Sequence, residues 1–244
     1  MSQPARFPPE VMLLAAGLGA RLRPLTDTRP KPLVEVAGKA LLDRVVENAA
    51  AEGITRFVVN IHHFPEQMRA HIAQLAARSP ALHFEISAEI DAPLETGGGV
   101  KQALPLLAGD PLLAMNTDAF WPAGTDAPLG RLGARYAAGG ADIVLLCAQP
   151  RRASGFRRSH DFCLDPRGQV TFDSGQPVIY AGAALLRRAL VEAVPERRFS
   201  LYPLFEAALE RGTLAGVVLD APWFHIGDPA ALADAEALLA VPAG

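Results

Sequence analysis

Lysine is nearly missing from this chain. Of its 23 basic residues only Lys31, Lys39 and Lys101 are lysines, and the rest are arginines. No basic run is longer than a pair such as Arg151-Arg152, and the net charge is −3. A protein that grips nucleic acid through a broad basic face is therefore excluded. Cysteine is equally scarce. Cys147 and Cys163 are too few for a disulfide framework and lack zinc-site spacing, so they read as small core residues of a reducing compartment. No apolar run approaches the roughly 20 residues that span a bilayer. The stretch Met1 to Glu10 has three prolines and lacks the basic start and apolar middle of a signal peptide. Internal repeats, low-complexity tracts and long linkers are absent too. What remains is a cytoplasmic globular protein of 244 residues, without membrane or nucleic-acid partners and of open oligomeric state.

What is present alternates. Residues 11–15 form a continuous apolar run, as expected of a strand buried on both faces. Leu41, Leu42, Val45, Val46 and Ala49 recur at helical spacing, and Gly53 closes that helix. A strand at 57–61, a helix around Phe64 to Leu75, a strand at 83–87, a short helix from Val100 to Leu107 and a strand ending at Asn116 follow. Such alternation predicts right-handed βαβ units and a doubly wound, mostly parallel α/β sheet. The second half reads as a core strand at 143–148, short strands within 156–182, a helix from Leu201 to Arg211, a strand at 217–219 and a final helix after Pro229. It predicts a small mixed extension of one domain covering 1–244. Ligands of such sheets gather at the carboxyl ends of the strands.

The first such end carries Ala15-Ala16-Gly17-Leu18-Gly19-Ala20-Arg21-Leu22-Arg23-Pro24-Leu25-Thr26, then Pro30-Lys31-Pro32-Leu33. Two glycines after a strand let backbone N–H groups approach a phosphate. Arg21 and Lys31 can add a planar fork and a point charge. Leu22 stands where a dinucleotide fingerprint needs its third glycine, and no Gly-Lys-Ser/Thr follows, so neither common phosphate loop fits. The longer string, Leu14 to Thr26 with Pro30 to Leu33, resembles the signature of the sugar-1-phosphate nucleotidyltransferases. Ala20 replaces their usual threonine.

That resemblance runs from about residue 11 to 240 and implies a Rossmann-like nucleotide-diphospho-sugar transferase fold, with a nucleotide half at about 11–120 and a sugar half at about 121–240. It implies transfer of a nucleotidyl group from a nucleoside triphosphate to a sugar-1-phosphate, with release of pyrophosphate. Arg21 and Lys31 take the catalytic roles. Leu14, Ala15, Ala16, Gly17, Gly19, Ala20 and Asn116 line the nucleotide. Leu94 to Gly99 supplies the base-reading loop through Thr96 and Gly98, with Glu89 just upstream. This loop looks most like the uridylyltransferase branch acting on N-acetylmuramate-1-phosphate. A guanylyltransferase using mannose- or heptose-1-phosphate is the alternative within the class, and a non-catalytic nucleotide-sugar binder the alternative outside it. The implied cofactor is Mg²⁺, with Mn²⁺ second, held by Asp118.

One departure stands out. Trp223-Phe224-His225-Ile226-Gly227-Asp228-Pro229 resembles the family's Trp-x-Asp-x-Gly-Thr-Pro, but His225 occupies the place of a metal-binding aspartate. Imidazole is a poor Mg²⁺ ligand. His225 is left with three readings: second metal ligand, ligand through water, or phosphate contact. Asp228 is read as a helix cap. Tyr180, Gly182 and Ser200 are the sugar-site candidates.

Overall fold

The apolar run forms β1 (Glu10–Leu14), which sits in the middle of a nine-stranded sheet in the computed structural model, where residues 10–240 are described. The expectation for residues 1–9 lies outside the described residues. Chain order continues with a hairpin of β2 (Glu35–Val36) and β3 (Lys39–Ala40), then α1 (Leu41–Ala51), β4 (Arg56–Ile61), α2 (Pro65–Arg78), β5 (His83–Ala88), α3 (Glu95–Ala103) and β6 (Leu112–Asn116). β1 pairs in parallel with β4 on one side and β6 on the other, and β4 pairs in parallel with β5. The chain thus steps outward from β1 to β5, then returns to the opposite side of β1. The strand order reverses there, and the loops after β1 and β6 open a crevice at the carboxyl edge.

The second half contributes β7 (Ala119–Phe120), α4 (Pro128–Ala137), β8 (Ile143–Ala148), β9 (Ala153–Ser154), β10 (Phe162–Leu164), β11 (Val170–Thr171) and β12 (Gln176–Leu186). α5 (Arg188–Glu192), α6 (Tyr202–Glu210), β13 (Leu214–Val218), β14 (Trp223–His225) and α7 (Pro229–Ala240) complete it. β12 runs antiparallel between β6 and β8, and its first residues pair with β10. This is the mixed extension, built onto the sheet. β7, β14 and β9 form a separate three-stranded sheet that sets His225 opposite Ala119, next to Asp118.

Alternation along β1 explains its unbroken hydrophobicity. Val11 and Leu13 face a core shared with α1, α2 and α4, whereas Met12 faces a core shared with α3 and α6. Each such fully buried side chain contributes about 1.5–3 kcal/mol. A third cluster lies beneath the loop after β1. There Leu22, fully buried, packs with Val34, Leu41, Phe120, Phe224 and Ile226. The leucine that breaks the dinucleotide fingerprint is the anchor of this loop.

Two expectations need correction. α3 starts at Glu95, not Val100, so the expected base-reading loop is the first part of a helix. Gly97 N and Gly98 N both donate to Phe199 O at 2.9 Å, so a distant carbonyl satisfies the first helical turn. Gly182, a sugar-site candidate, resembles the family's glycine at a strand end. It lies inside β12, where its φ of 87° marks a register shift between Tyr180 and Ala184.

Candidate active site

The loop after β1 is shaped by Gly19, at φ 64°. Gly19 O accepts from Leu22 N at 2.8 Å and from Thr26 Oγ1 at 2.9 Å. A Cβ on Gly19 would lie 2.8 Å from Thr26 Cγ2 and 2.9 Å from Lys31 Cβ, so only glycine lets the loop close over Lys31. Gly17 differs. A Cβ there would meet nothing within 4 Å, because Gly17 faces the open crevice. Arg21 is exposed, and its guanidinium makes no hydrogen bond or ion pair among the described residues.

Lys31 reaches across the crevice to Asp118, two residues past the end of β6. Its Nζ lies 2.6 Å from Asp118 Oδ2, joining positions 87 apart in sequence. His225 Nε2 stands 3.6 Å from the same oxygen. Burial pushes the Asp118 carboxyl up, but Lys31 first and His225 second outweigh it and hold the pKa far below the usual carboxylate range. The strand ends carrying these groups are tied together, since Thr117 Oγ1 donates to Leu14 O at 2.8 Å and Ile226 N to Asp118 O at 2.8 Å.

The far wall is a buried polar relay. Ala15 N donates to Asn60 Oδ1 at 2.6 Å, Asn60 Nδ2 to Glu89 Oε1 at 2.6 Å, and Leu94 N to Glu89 Oε2 at 2.7 Å. Asn60 and Glu89 are 2% and 3% exposed, so these bonds form away from water. Gly99 packs directly on them, where a Cβ would fall 2.5 Å from Asn60 Nδ2. Gly97 and Gly98 are equally crowded, by the Phe199 ring and the Arg197 carbonyl. The glycine triplet therefore serves close packing on three sides, and does not leave backbone open to a base. Thr96 Oγ1 accepts from Leu201 N at 2.9 Å, stapling α3 to the segment before α6.

These walls enclose a cavity of about 350 Å³, within the range of small-molecule sites. Arg21, Lys31, Asp118 and Asn116 line it, with Leu14, Ala15, Ala16, Gly17, Gly19, Ala20, Glu89 and Thr96. Gly98 does not; it faces a second cavity beside Lys101 and Arg197. His225 does not line the first cavity either, although its Nε2 lies 3.6 Å from Asp118 Oδ2. Tyr180 lies deeper in β12, its buried hydroxyl without a partner and its ring edge-on to Phe205 at 5.3 Å. Gly182 packs on Asn116, where a Cβ would meet Asn116 Cβ at 3.2 Å. Ser200 Oγ accepts from Tyr202 N at 3.2 Å and so belongs to the start of α6. Asp228 caps α7 through Ala231 N at 2.8 Å, and its bond to Arg157 holds its carboxyl at about 2. Lys39 pairs with Glu47, and Lys101 turns to the carbonyls of Val194 and Glu196, so neither points at the cavity.

Asn60, Pro32, Pro93, Glu95, Thr117 and Gly227 also line the cavity; they lie at the strand ends and in the motifs read from sequence, but none was singled out as a site residue. Asn60 had a visible signal, a polar residue inside the apolar strand Phe57 to Ile61. Glu95 lay inside the expected loop from Leu94 to Gly99, but its φ of 64° at the start of α3 was not visible there.

No group of three or more His, Cys, Asp or Glu side chains converges among the described residues. Mg²⁺ requires fewer, because it keeps waters and takes one or two carboxylates plus substrate phosphates. Asp118 Oδ1 is buried with no hydrogen-bond partner, which leaves a carboxylate oxygen able to accept such an ion. The donor set fits.

Comparison with known proteins identifies the family. The family profile described as nucleotidyl transferase matches residues 10–156. An N-acetylmuramate alpha-1-phosphate uridylyltransferase of Caulobacter vibrioides is 39% identical over 239 residues, covering 97% of this chain and 99% of its own. A protein of the same description from Neisseria meningitidis is 29% identical and covers 94% of this chain and 97% of its own. In fold, the chain resembles the inositol-1-phosphate CTP transferase of T. maritima with a TM-score of 0.76 at 14% identity, over 98% of this chain and 99% of that one.

Proposed function

The chain belongs to the nucleotidyl transferase family, and from that premise we propose that it transfers a uridylyl group from UTP to N-acetylmuramate-1-phosphate. The products are UDP-N-acetylmuramate and pyrophosphate. The supporting observation is the Lys31–Asp118 pair at 2.6 Å, set in one cavity with Arg21. It puts positive charge and a metal-competent carboxylate at the switch point of the sheet, where a triphosphate would lie.

In this reading the nucleotide half, about 11–120, binds the triphosphate. Gly17 offers open backbone to it, and Arg21, with no acidic partner, offers a bidentate fork. Lys31 is held on the crevice floor by Asp118. A phosphate oxygen of the sugar phosphate attacks the α-phosphorus in line, forming one O–P bond as the bond to pyrophosphate breaks. The chain supplies positioning and charge neutralisation. A divalent cation such as Mg²⁺, held by Asp118, would supply further charge neutralisation on the phosphates. Gly182, packed on Asn116, and Tyr180, two residues before it in β12, belong to the half at about 121–240 and are read as the sugar-phosphate side, with Ser200 just before α6.

Consumption of N-acetylmuramate-1-phosphate assigns the protein to reuse of cell-wall sugar, in the cytoplasm. No helix among the described residues is long and apolar enough to cross a membrane. The test is a matrix of triphosphates against sugar-1-phosphates, read by pyrophosphate release. Turnover is expected to be highest for UTP with N-acetylmuramate-1-phosphate. No turnover with that pair overturns the substrate assignment. Calorimetric binding of UTP with no product at any Mg²⁺ or Mn²⁺ concentration overturns the catalytic one.

A further inference from the structure

Four non-glycine residues have a left-handed φ among the described residues, and three have a local reason for it. Ala37 turns the hairpin between β2 and β3. Phe64 and Ala127 each precede a proline that opens a helix, which disfavours the ordinary helical conformation at the residue before it. Glu95, at φ 64°, has neither reason. It is the first residue of α3, and it alone of the four lines the cavity. Glycine takes such a φ without penalty, whereas a residue with a side chain is strained there. Local stabilisation does not account for keeping the side chain. No side-chain hydrogen bond caps α3. The ion pair of Glu95 Oε1 with Arg198 Nε, at 3.1 Å, joins side chains 45% and 64% exposed and contributes little. A carboxylate in the first turn gains only modestly from the helix dipole. Strain of this kind at a ligand cavity points to use by the ligand.

Three carboxylates line the cavity, those of Glu89, Glu95 and Asp118. Asp118 stands against Lys31, and both oxygens of Glu89 accept from the chain itself. Glu95 Oε2 has no hydrogen bond or ion pair among the described residues. Its place is the acidic end of a cavity whose other end is cationic. Lys31 meets Asp118 on the β6 side of β1, and Arg21 Nη2 is near Gly227, where a Cβ would approach it to 3.6 Å. The start of α3 is tied through Glu89 to the end of β5, on the opposite side of β1. Charge therefore draws a triphosphate toward Arg21 and Lys31. A carboxylate repels phosphate and can only accept hydrogen bonds, so the group that meets Glu95 is a donor.

We infer that Glu95 is a specificity-determining residue whose carboxylate accepts a hydrogen bond from the nucleoside of the bound triphosphate, from a ribose hydroxyl or from the N3–H of uracil. The inference rests on the nucleotidyl-transfer reading for the triphosphate that occupies the cavity. Arg198 holds Oε1 and leaves Oε2 to the ligand, so the ion pair fixes the carboxylate without satisfying it. An acceptor fixed in advance loses less side-chain freedom on binding than a free one. The left-handed φ is then a loss of stability retained for binding.

The experiment is calorimetric titration of the full chain and of E95G, with Mg²⁺ and without sugar phosphate, so that no turnover occurs. UTP should bind E95G about tenfold more weakly or worse, as expected for a lost hydrogen bond to a charged acceptor. Inorganic triphosphate, which lacks a nucleoside, should bind E95G no more weakly than it binds the unaltered chain. The analogues 2′-deoxy-UTP, 3′-deoxy-UTP and N3-methyl-UTP each remove one candidate donor. One of them should bind the unaltered chain about tenfold more weakly than UTP, and that penalty should vanish in E95G. The analogue that does so identifies the donor. E95G also relieves the left-handed strain, so its melting temperature should equal or exceed that of the unaltered chain. Unchanged UTP affinity in E95G overturns the inference, as does a lower melting temperature, weaker binding of inorganic triphosphate, or an analogue pattern that E95G leaves as it was. A chain that shows the expected pattern but forms no nucleotide sugar keeps this inference and loses the functional reading.

Discussion

Asn60 Nδ2 lies 2.6 Å from Glu89 Oε1, joining the ends of two neighbouring parallel strands inside the wall of the cavity. Each partner also holds a backbone N–H of a different loop, Ala15 for Asn60 and Leu94 for Glu89. The pair therefore ties the end of β1 to the start of α3.

Glu89→Gln tests that tie. A glutamine amide would turn one of two acceptors into a donor facing another donor, in a site 3% exposed. One buried donor left unsatisfied costs about 1–3 kcal/mol. The expected outcome is a lower melting temperature and weaker UTP binding by calorimetry, with the KM for the sugar phosphate little changed. Equal loss for both substrates would indicate general unfolding instead.

Gly17 and Gly19 separate fold from ligand binding. Gly19→Ala meets Thr26 and Lys31 and adopts a left-handed φ, so loop and stability should both suffer. Gly17→Ala meets nothing within 4 Å. Its melting temperature should stay near that of the unaltered chain while nucleotide affinity falls. A Gly17→Ala protein that binds UTP normally contradicts the approach of phosphate to that backbone.

The Asp118 carboxyl gives a pH prediction. Lys31 and His225 together overcome burial and hold it well below the ordinary value near 3.8. Its stabilising contribution is present above its unfolded-state pKa and is lost as pH falls through the lower native value. Asp118 should stay ionised across the neutral range and give no acid limb near neutrality. Lys31→Met leaves burial less opposed, and the pKa should rise. Carboxyl carbon chemical shifts followed against pH would detect this, and an unmoved Asp118 would count against the pairing.

Cys147 should be chemically silent. Burial foremost, with Asp161 adding to it, pushes its thiol up to about 12. Alkylation at pH 8 followed by peptide mass mapping should leave Cys147 unmodified until denaturant is added. Labelling of the native chain would show that the strand β8 opens readily.

Much of this was legible because it depends on local pattern. The run at 11–15 and the helical spacing of Leu42, Val45, Val46 and Ala49 correspond to β1 and α1 directly. The loop after β1 was legible as a string, and its members do converge on one cavity. What stayed hidden depends on distant partners. α3 begins early only because Phe199 O, a hundred residues on, accepts its first amides. α4 carries Gly130 and Gly133, which weaken its helical signal, and was not read at all. Strands of two or three residues, such as β7, β9 and β14, are too short for any period to show. That small sheet pairs His225 with Ala119 and so brings it to Asp118, a placement that could not be read from the motif alone. Lys39 and Lys101 follow closely on the Pro30–Leu33 and Leu94–Gly99 stretches in sequence, but their charges are used in an ion pair and on loop carbonyls.

Lys31 carries the central claim, since it alone of the three lysines lines the cavity and meets Asp118. The most direct measurement is kcat for pyrophosphate release from UTP and N-acetylmuramate-1-phosphate, comparing the unaltered chain with Lys31→Arg. Arginine keeps the charge but replaces a compact ammonium by a planar fork that cannot occupy the same place beside Asp118. The account predicts steady turnover in the first and a loss approaching the roughly 10²–10³-fold expected for a missing transition-state donor in the second. No turnover in the unaltered chain, or near-normal turnover in Lys31→Arg, would contradict it.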